Sequence, residues 1–202
     1  MDKSKHISSA FDQDLELLND LMQKLGALAC NQLDRAIEGL ATQNNSILDT
    51  VITGDAALDK IEAEIHEKAI EIIAIRAPRA QDLRYVLVSL KIATILERMG
   101  DYARNIANRT KVLSELGNEN IPGVNIGRMG HVTLEMVRDV MMSFKHDDAE
   151  MALKVWRRDV EVDHMHTAFY KEVLASMSRN PNMVATGAHL LFIAKNIERI
   201  GD

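Results

Sequence analysis

Four pairs of acidic residues, each with its two members four residues apart, recur along this chain. Residues with that spacing lie on one face of an α-helix, so each pair would direct two carboxylates to the same side. The first two pairs are symmetric about Pro78, and the last two about the Asn180–Pro181 bond. Antiparallel helices that rise about 1.5 Å per residue would therefore bring four carboxylates level in each half of the chain. The pairs are Asp55/Asp59, Glu97/Asp101, Asp159/Asp163 and Glu198/Asp202.

The composition favours helices over strands. Aromatic residues make up only 4% of the chain, whereas strand-rich cores depend on aromatic and β-branched side chains. Methionine, leucine, isoleucine and alanine fill the apolar positions instead, and most of these are good helix formers. Three prolines and ten glycines leave few interruptions, so we expect an all-α chain with long helices.

Charge and cysteine content argue against several classes of function. A net charge of −6 suits cations or basic partners and argues against nucleic acid, whose phosphates need a basic surface. The single Cys30 rules out a disulfide framework within the chain and a cysteine-rich zinc site, and it indicates a reducing compartment such as the cytoplasm. The N-terminus does not read as a signal peptide, and no apolar run reaches the roughly 18 residues that a membrane helix needs.

Apolar residues spaced three and four apart predict six helices, three in each half. Ser8 or Ser9 would cap the first helix, and Pro181 would open the last. A turn-rich stretch at 117–123 suggests the boundary between halves. We therefore predict two tandem three-helix bundles, at residues 1–117 and 124–202.

The two halves also match in sequence, which indicates an internal duplication of a three-helix unit. The second copy stops at its Gly–Asp dipeptide, where the first continues for more than a turn, so we expect the last helix to be cut short. The matching segments are Val51-x3-Asp55-x3-Asp59 with Val155-x3-Asp159-x3-Asp163, and Leu90-x-Ile92-Ala93-x3-Glu97-Arg98-x-Gly100-Asp101 with Leu191-x-Ile193-Ala194-x3-Glu198-Arg199-x-Gly201-Asp202.

The doubled Glu-Arg-apolar-Gly-Asp motif resembles that of the PhoU family of phosphate-uptake regulators. The resemblance covers essentially the whole chain. The motifs that carry it are Glu97-Arg-Met-Gly-Asp101, Glu198-Arg-Ile-Gly-Asp202, Lys5-His-Ile-Ser8, Gly54-Asp55-x3-Asp59 and Ile73-Ala-x-Arg76-x-Pro78-x3-Asp82-Leu83-Arg84.

The resemblance implies a regulator rather than an enzyme. Such proteins are tandem three-helix bundles that act as negative regulators of phosphate uptake and of the phosphate-starvation response. They are thought to link the cytoplasmic ATPase subunit of the phosphate ABC importer to its sensor histidine kinase, and to meet the membrane only through these partners. The resemblance also implies a homodimer.

A hard-cation site in each half follows from the level carboxylates, because a bound ion would remove their mutual repulsion. All-oxygen ligands suit magnesium, calcium, manganese or iron better than zinc. The resemblance adds that some members hold iron or zinc clusters at such motifs, while others bind magnesium or manganese or lack metal. The alternatives are a solvated acidic face, or ion pairs in which Arg98 and Arg199 neutralise the acids.

Several further residues are candidates beside the acids. Glu62 and His66 extend the stripe of Asp55 and Asp59, and His166 follows Asp163, so these three are possible accessory ligands. Asn105 continues the polar stripe beyond Asp101. An ordinary solvated surface is the alternative for each of them.

Gly100 and Gly201 stand inside helical patterns. They indicate either close packing against another helix or room for a cation or partner beside the following aspartate.

Catalysis has little support in the sequence, which lacks a phosphate-binding glycine loop, a convincing nucleophile and any organic-cofactor motif. The rival hypothesis is a carboxylate-bridged multinuclear metalloenzyme that performs redox chemistry or phosphoester hydrolysis. Di-iron carboxylate bundles use two Glu-x2-His motifs. Here Glu161-x2-His164 matches one, and the first half has none, with Lys60 at the equivalent position.

Overall fold

Six α-helices account for nearly all of the residues that the computed structural model describes, which are 3–117 and 124–202, with side chains from 10 and 126 onward respectively. Those ranges contain no strand, and the prediction of an all-α chain is confirmed. The helices are α1 (Lys3–Thr42), α2 (Asn45–Arg76), α3 (Ala80–Glu115), α4 (Val124–Lys145), α5 (Ala149–Arg179) and α6 (Val184–Gly201), with a short 3-10 helix at Pro181–Met183 before α6.

Polar side chains and positive backbone angles separate the helices where the sequence predicts breaks. Asn44 Oδ1 accepts a hydrogen bond from the Ser46 backbone N–H at 3.0 Å, which satisfies a free donor at the start of α2. Asp148 caps α5 in the same way, accepting from the Met151 N–H at 2.9 Å. Between α2 and α3, Ala77 adopts a φ of 48° immediately before Pro78.

Two expectations about boundaries have different outcomes. The N-cap at Ser8 or Ser9 is wrong, because α1 already begins at Lys3 and places both serines inside the helix. Of the turn-rich stretch 117–123, only Gly117, with a φ of 65°, is among the described residues. The rest of the stretch lies outside them, and the division of the chain into 1–117 and 124–202 stays a prediction.

Contacts group the chain into two units that divide the first three helices along their length. The first unit comprises Met1–Ala29 and Ala56–Arg98. It is held by an apolar core that includes Leu18, Leu25, Leu58 and Ile65, all fully buried. At its edge, Lys68 Nζ donates to Asp14 Oδ1 at 2.6 Å and Arg76 Nε donates to Asp14 Oδ2 at 2.9 Å. The two cations lower the pKa of Asp14, with Lys68 as the largest cause.

The second unit comprises Cys30–Asp55 and Met99–Asp202. Within it, α4, α5 and α6 each pack against the other two, which makes the three-helix bundle expected of the second half. The segment of α1 in this unit reaches the bundle, because Ile37 lies against the backbone of Gly130 in α4. The Arg109 guanidinium of α3 also lies 4.0 Å above the ring of Phe192 in α6.

None of the described helices has an apolar segment long enough to cross a lipid bilayer.

Candidate metal centre

Three of the predicted acids meet in the second unit. Asp159 and Asp163 stand one turn apart on α5, and Asp202 follows the last turn of α6. Each offers one carboxylate oxygen, and these three oxygens lie within 4.8 Å of one another. We call this group the α5–α6 acidic cluster.

Asp159 is the most constrained member of the cluster. Its Oδ1 is buried and meets no hydrogen-bond donor among the described side chains and backbone. Burial raises the pKa of Asp159, and the charges of Asp163, Asp202 and Glu198 raise it further. This oxygen therefore meets neither water nor a donor, and a bound cation would relieve the cost of its negative charge.

Gly201 stands beside this buried oxygen. A methyl group added at Gly201 would lie 3.5 Å from Asp159 Oδ1 and 3.6 Å from Val162, which is ordinary contact distance. A small side chain would therefore fit at Gly201, and the space beside it is bounded by Asp159 itself. Gly100 is buried, whereas Gly201 is half-buried.

Glu198, the fourth acid predicted for this half, is engaged elsewhere. It is buried, and Lys195 Nζ donates to its Oε1 at 2.6 Å from one turn back on α6. Its charge still contributes to the raised pKa of Asp159, so it lies near the cluster without belonging to the group of three.

The four acids of the first half fall in different units. Asp59 and Glu97 belong to the first unit, whereas Asp55 and Asp101 belong to the second. Asp55 is buried, with 7% of its surface exposed, and Asp59 is exposed. The prediction that these four form one site stays a prediction.

Arg104 is the residue that the sequence reasoning missed. Its guanidinium donates to Asp55 from one nitrogen and to Asp101 from another, which joins α2 and α3 within the second unit. The available signal was its spacing, because a cation three residues after an acid on a helix lies within reach of it. Asp55 and Asp101 thus meet Arg104, and Glu198 meets Lys195. Arg98, Arg199 and Asn105 are exposed.

The proposed accessory ligands divide between the units. In the first unit, His66 Nε2 lies 3.2 Å from Glu62 Oε1, as their spacing predicts, and Thr94 donates to the same oxygen at 3.1 Å. In the second unit, the ring of His166 faces that of Tyr170 at 6.4 Å, and His166 is not part of the α5–α6 acidic cluster. That cluster consists of carboxylates alone.

Comparison with known proteins supports the resemblance read from the motifs. The family model described as the PhoU domain matches residues 22–110 and again 126–202, which confirms the internal repeat. The Phosphate-specific transport system accessory protein PhoU homolog of Caulobacter vibrioides is 36% identical over 199 residues, covering 98% of this chain and 86% of that protein. The homologue of the same name from Zymomonas mobilis is 38% identical, with coverages of 98% and 83%.

Two solved structures are also similar. The crystal structure of PhoU from Pseudomonas aeruginosa has a TM-score of 0.93 and 28% identity, and covers 95% of this chain and 92% of its own. That of the phosphate transport system regulatory protein PhoU from Streptococcus pneumoniae has a TM-score of 0.87 and 25% identity, with coverages of 95% and 90%.

Proposed function

Because this chain belongs to the PhoU family, we propose that it is an accessory regulator that restrains phosphate import and the phosphate-starvation response when phosphate is plentiful. The observation that carries the proposal is the match of both copies of the PhoU domain, at residues 22–110 and 126–202. Relatives at 36% and 38% identity carry the name of an accessory protein of the phosphate-specific transport system.

The protein would act by binding rather than by catalysis. Its partners would be the ATPase subunit of the phosphate importer and the sensor histidine kinase, both reached from the cytoplasm. An adaptor shifts its partners between states only if it binds one state more tightly than the other. The donor set supports this class over a metalloenzyme, since the α5–α6 acidic cluster includes no histidine ligand.

The α5–α6 acidic cluster fits a hard cation. Asp159, Asp163 and Asp202 would hold it, and the ion would be magnesium, manganese or iron, which take carboxylate oxygens readily. The buried oxygen of Asp159 that lacks a donor supports this assignment. The ion would supply the counter-charge that three neighbouring carboxylates need, and would thereby tie α5 to the end of α6.

Asp55 and Asp101 fit a cation less well, because the Arg104 guanidinium already supplies a positive charge to both. A metal ion bound by these two acids would have to displace it. Among the described residues, we therefore propose a cation at the α5–α6 acidic cluster and an arginine in its place at Asp55 and Asp101.

A deletion strain tests the regulatory role. Without the gene, a reporter driven by a phosphate-starvation promoter is expected to be active in phosphate-rich medium, and the parent gene supplied in trans is expected to silence it. A deletion strain whose reporter stays silent in phosphate-rich medium would contradict the proposed function. The homodimer is tested separately, by sedimentation of the purified protein.

A further inference from the structure

Helix α5 carries apolar residues on two opposite faces. Val155, Val162 and Phe169 are buried in the core of the second unit. With 3.6 residues per turn, Trp156 and Val160 lie about half a turn away from that buried face. Leu153 lies on the outer face with them, and the three side chains are 53%, 73% and 53% exposed in chain order.

Such an outer face is unusual for a helix that already packs one face into a core. The opposite face of an amphipathic helix is normally polar, because apolar surface in water carries a free-energy cost. Leu153, Trp156 and Val160 cover about 10 Å of helix, or two turns. That length matches the contact made by a second helix laid along α5.

A groove adjoins this apolar stripe on the side of α4. Its volume is about 600 Å³, and Val160 belongs to both the stripe and the groove wall. Buried Phe169 also lines it. Its ionisable lining residues are Arg128 of α4, and Arg157, Glu161 and His164 of α5.

The two arginines of the groove differ from the adjacent Arg158 in their ion pairing. Arg158, the neighbour of Arg157, forms ion pairs with Glu135 at 3.0 Å and Asp139 at 3.3 Å, and so ties α5 to α4. Within the described part of the chain, neither Arg128 nor Arg157 has an ion pair of this kind. In a chain whose net charge is −6, this is a local positive surface beside exposed apolar side chains.

We propose that the stripe and groove together, which we call the α5 docking face, bind an acidic amphipathic helix of a partner protein. The apolar side chains of that helix would cover Leu153, Trp156 and Val160, and its acidic side chains would lie toward Arg128 and Arg157. Asp163 lies on the other flank of the stripe, so like-charge repulsion would disfavour the reversed placement. The concave groove favours a helix over a lipid surface. The proposal rests on the adaptor role, and it names the docking surface and the chemistry of the partner.

Binding measurements with the importer's ATPase subunit and the cytoplasmic part of the sensor kinase from the same organism test this proposal. The parent would be immobilised and compared with Trp156→Ala and Arg157→Glu. Because an exposed aromatic buried on binding is a typical hot spot, Trp156→Ala is expected to weaken binding of one partner about 30-fold. Arg157→Glu is expected to weaken it about 10-fold in low salt and less in high salt.

Matched controls come from the first unit. Ile75→Ala alters a comparably exposed apolar residue, and Arg84→Glu reverses an exposed arginine. Both are expected to stay within about two-fold of the parent, since surface changes outside an interface contribute little. Circular dichroism melts of all four variants establish that the fold is intact, which the outward position of the four side chains predicts.

The outcomes distinguish a failure of the docking face from a failure of the proposed adaptor role. If the parent binds neither partner, the adaptor role fails and the docking face fails with it. If the parent binds but Trp156→Ala and Arg157→Glu match the controls, the adaptor role stands and the docking face is wrong. Two further outcomes of Trp156→Ala would also show that the docking face is wrong, if the affinity of the variant for both partner proteins equals that of the parent. One is loss of binding to phosphatidylcholine–phosphatidylglycerol vesicles, and the other is conversion of a dimer into a monomer.

Discussion

The two duplicated acidic motifs have the same spacing but different surroundings. In the first, the buried Asp55 and its neighbour Asp101 share the guanidinium of Arg104. In the second, Asp159 has an oxygen with no donor among the described groups and is surrounded by further acids. The duplication therefore places the carboxylates alike, and in the first copy Arg104 adds a counter-charge from outside the motif.

The residue that precedes Asp55 and the one that precedes Asp159 also differ. Gly54 precedes Asp55, and its backbone lies so close to the Gln32 amide that a side chain there would overlap it. Arg158 precedes Asp159 and reaches Glu135 and Asp139 of α4. The position before Asp55 is thus held by close backbone packing, and the position before Asp159 by ion pairs to α4.

Removal of Arg104 is expected to cause the largest change in stability that the comparison predicts. Arg104→Ala removes a cation from the buried Asp55, and loss of one partner from a buried charge pair is strongly destabilising. Because Arg104 is itself partly exposed, we expect a loss of about 2 kcal/mol, or about 4–8 °C in Tm for a chain of this size. Thermal melting measures this, with the exposed Arg84→Ala as a control. A variant that melts with the parent would show that Asp55 does not depend on Arg104.

Alanine substitutions of Gly54 and Gly201 are expected to give the next largest difference in stability. Gly54→Ala is expected to cost about 1–2 kcal/mol, because the buried Gln32 has to move to admit the added methyl group. Gly201→Ala places its methyl group at ordinary contact distance from Asp159, so a change in Tm of under about 2 °C is expected. Thermal melting of both variants tests this contrast. Equal effects would mean that the added methyl group is equally crowded at the two positions.

Asp159→Asn is expected to raise the stability of chelator-treated protein by about 1 kcal/mol at pH 7, since an amide removes the charge and can donate. The pKa of Asp159 is raised in the folded state, so its stability cost is absent below the ordinary value of about 4 and grows as pH rises toward the raised value. Melting of parent and variant from pH 3 to pH 7 measures this. A gap in Tm that widens on acidification would contradict the raised pKa.

Much of the fold could be read from the sequence because the signals are local. Pro78 and Pro181 mark the ends of helices, and the spacing about Pro181 brings Asp159 and Asp163 to Asp202. Arg104 could not be assigned in the same way, because a long arginine side chain one turn from an acid can bond to several groups. Packing between helices decides which of them it meets.

The start of α1 and the exposure of Trp156 were also beyond sequence reasoning. No glycine or proline before Ser8 stops the helix, so it extends to Lys3 despite the preference of serine for an N-cap. Tryptophan is highly buried on average, and only the packing of α5 shows that Trp156 faces outward.

The most direct test of the unequal sites is the metal content of Asp163→Asn beside Asp59→Asn, two exposed aspartates at equivalent positions of the repeat. Each protein would be equilibrated with manganese, desalted and measured by elemental mass spectrometry against the parent. The account predicts that Asp163→Asn loses the bound ion and Asp59→Asn keeps it. Equal losses from the two variants would contradict the account, because they would mean that Arg104 does not replace a metal ion in the first half.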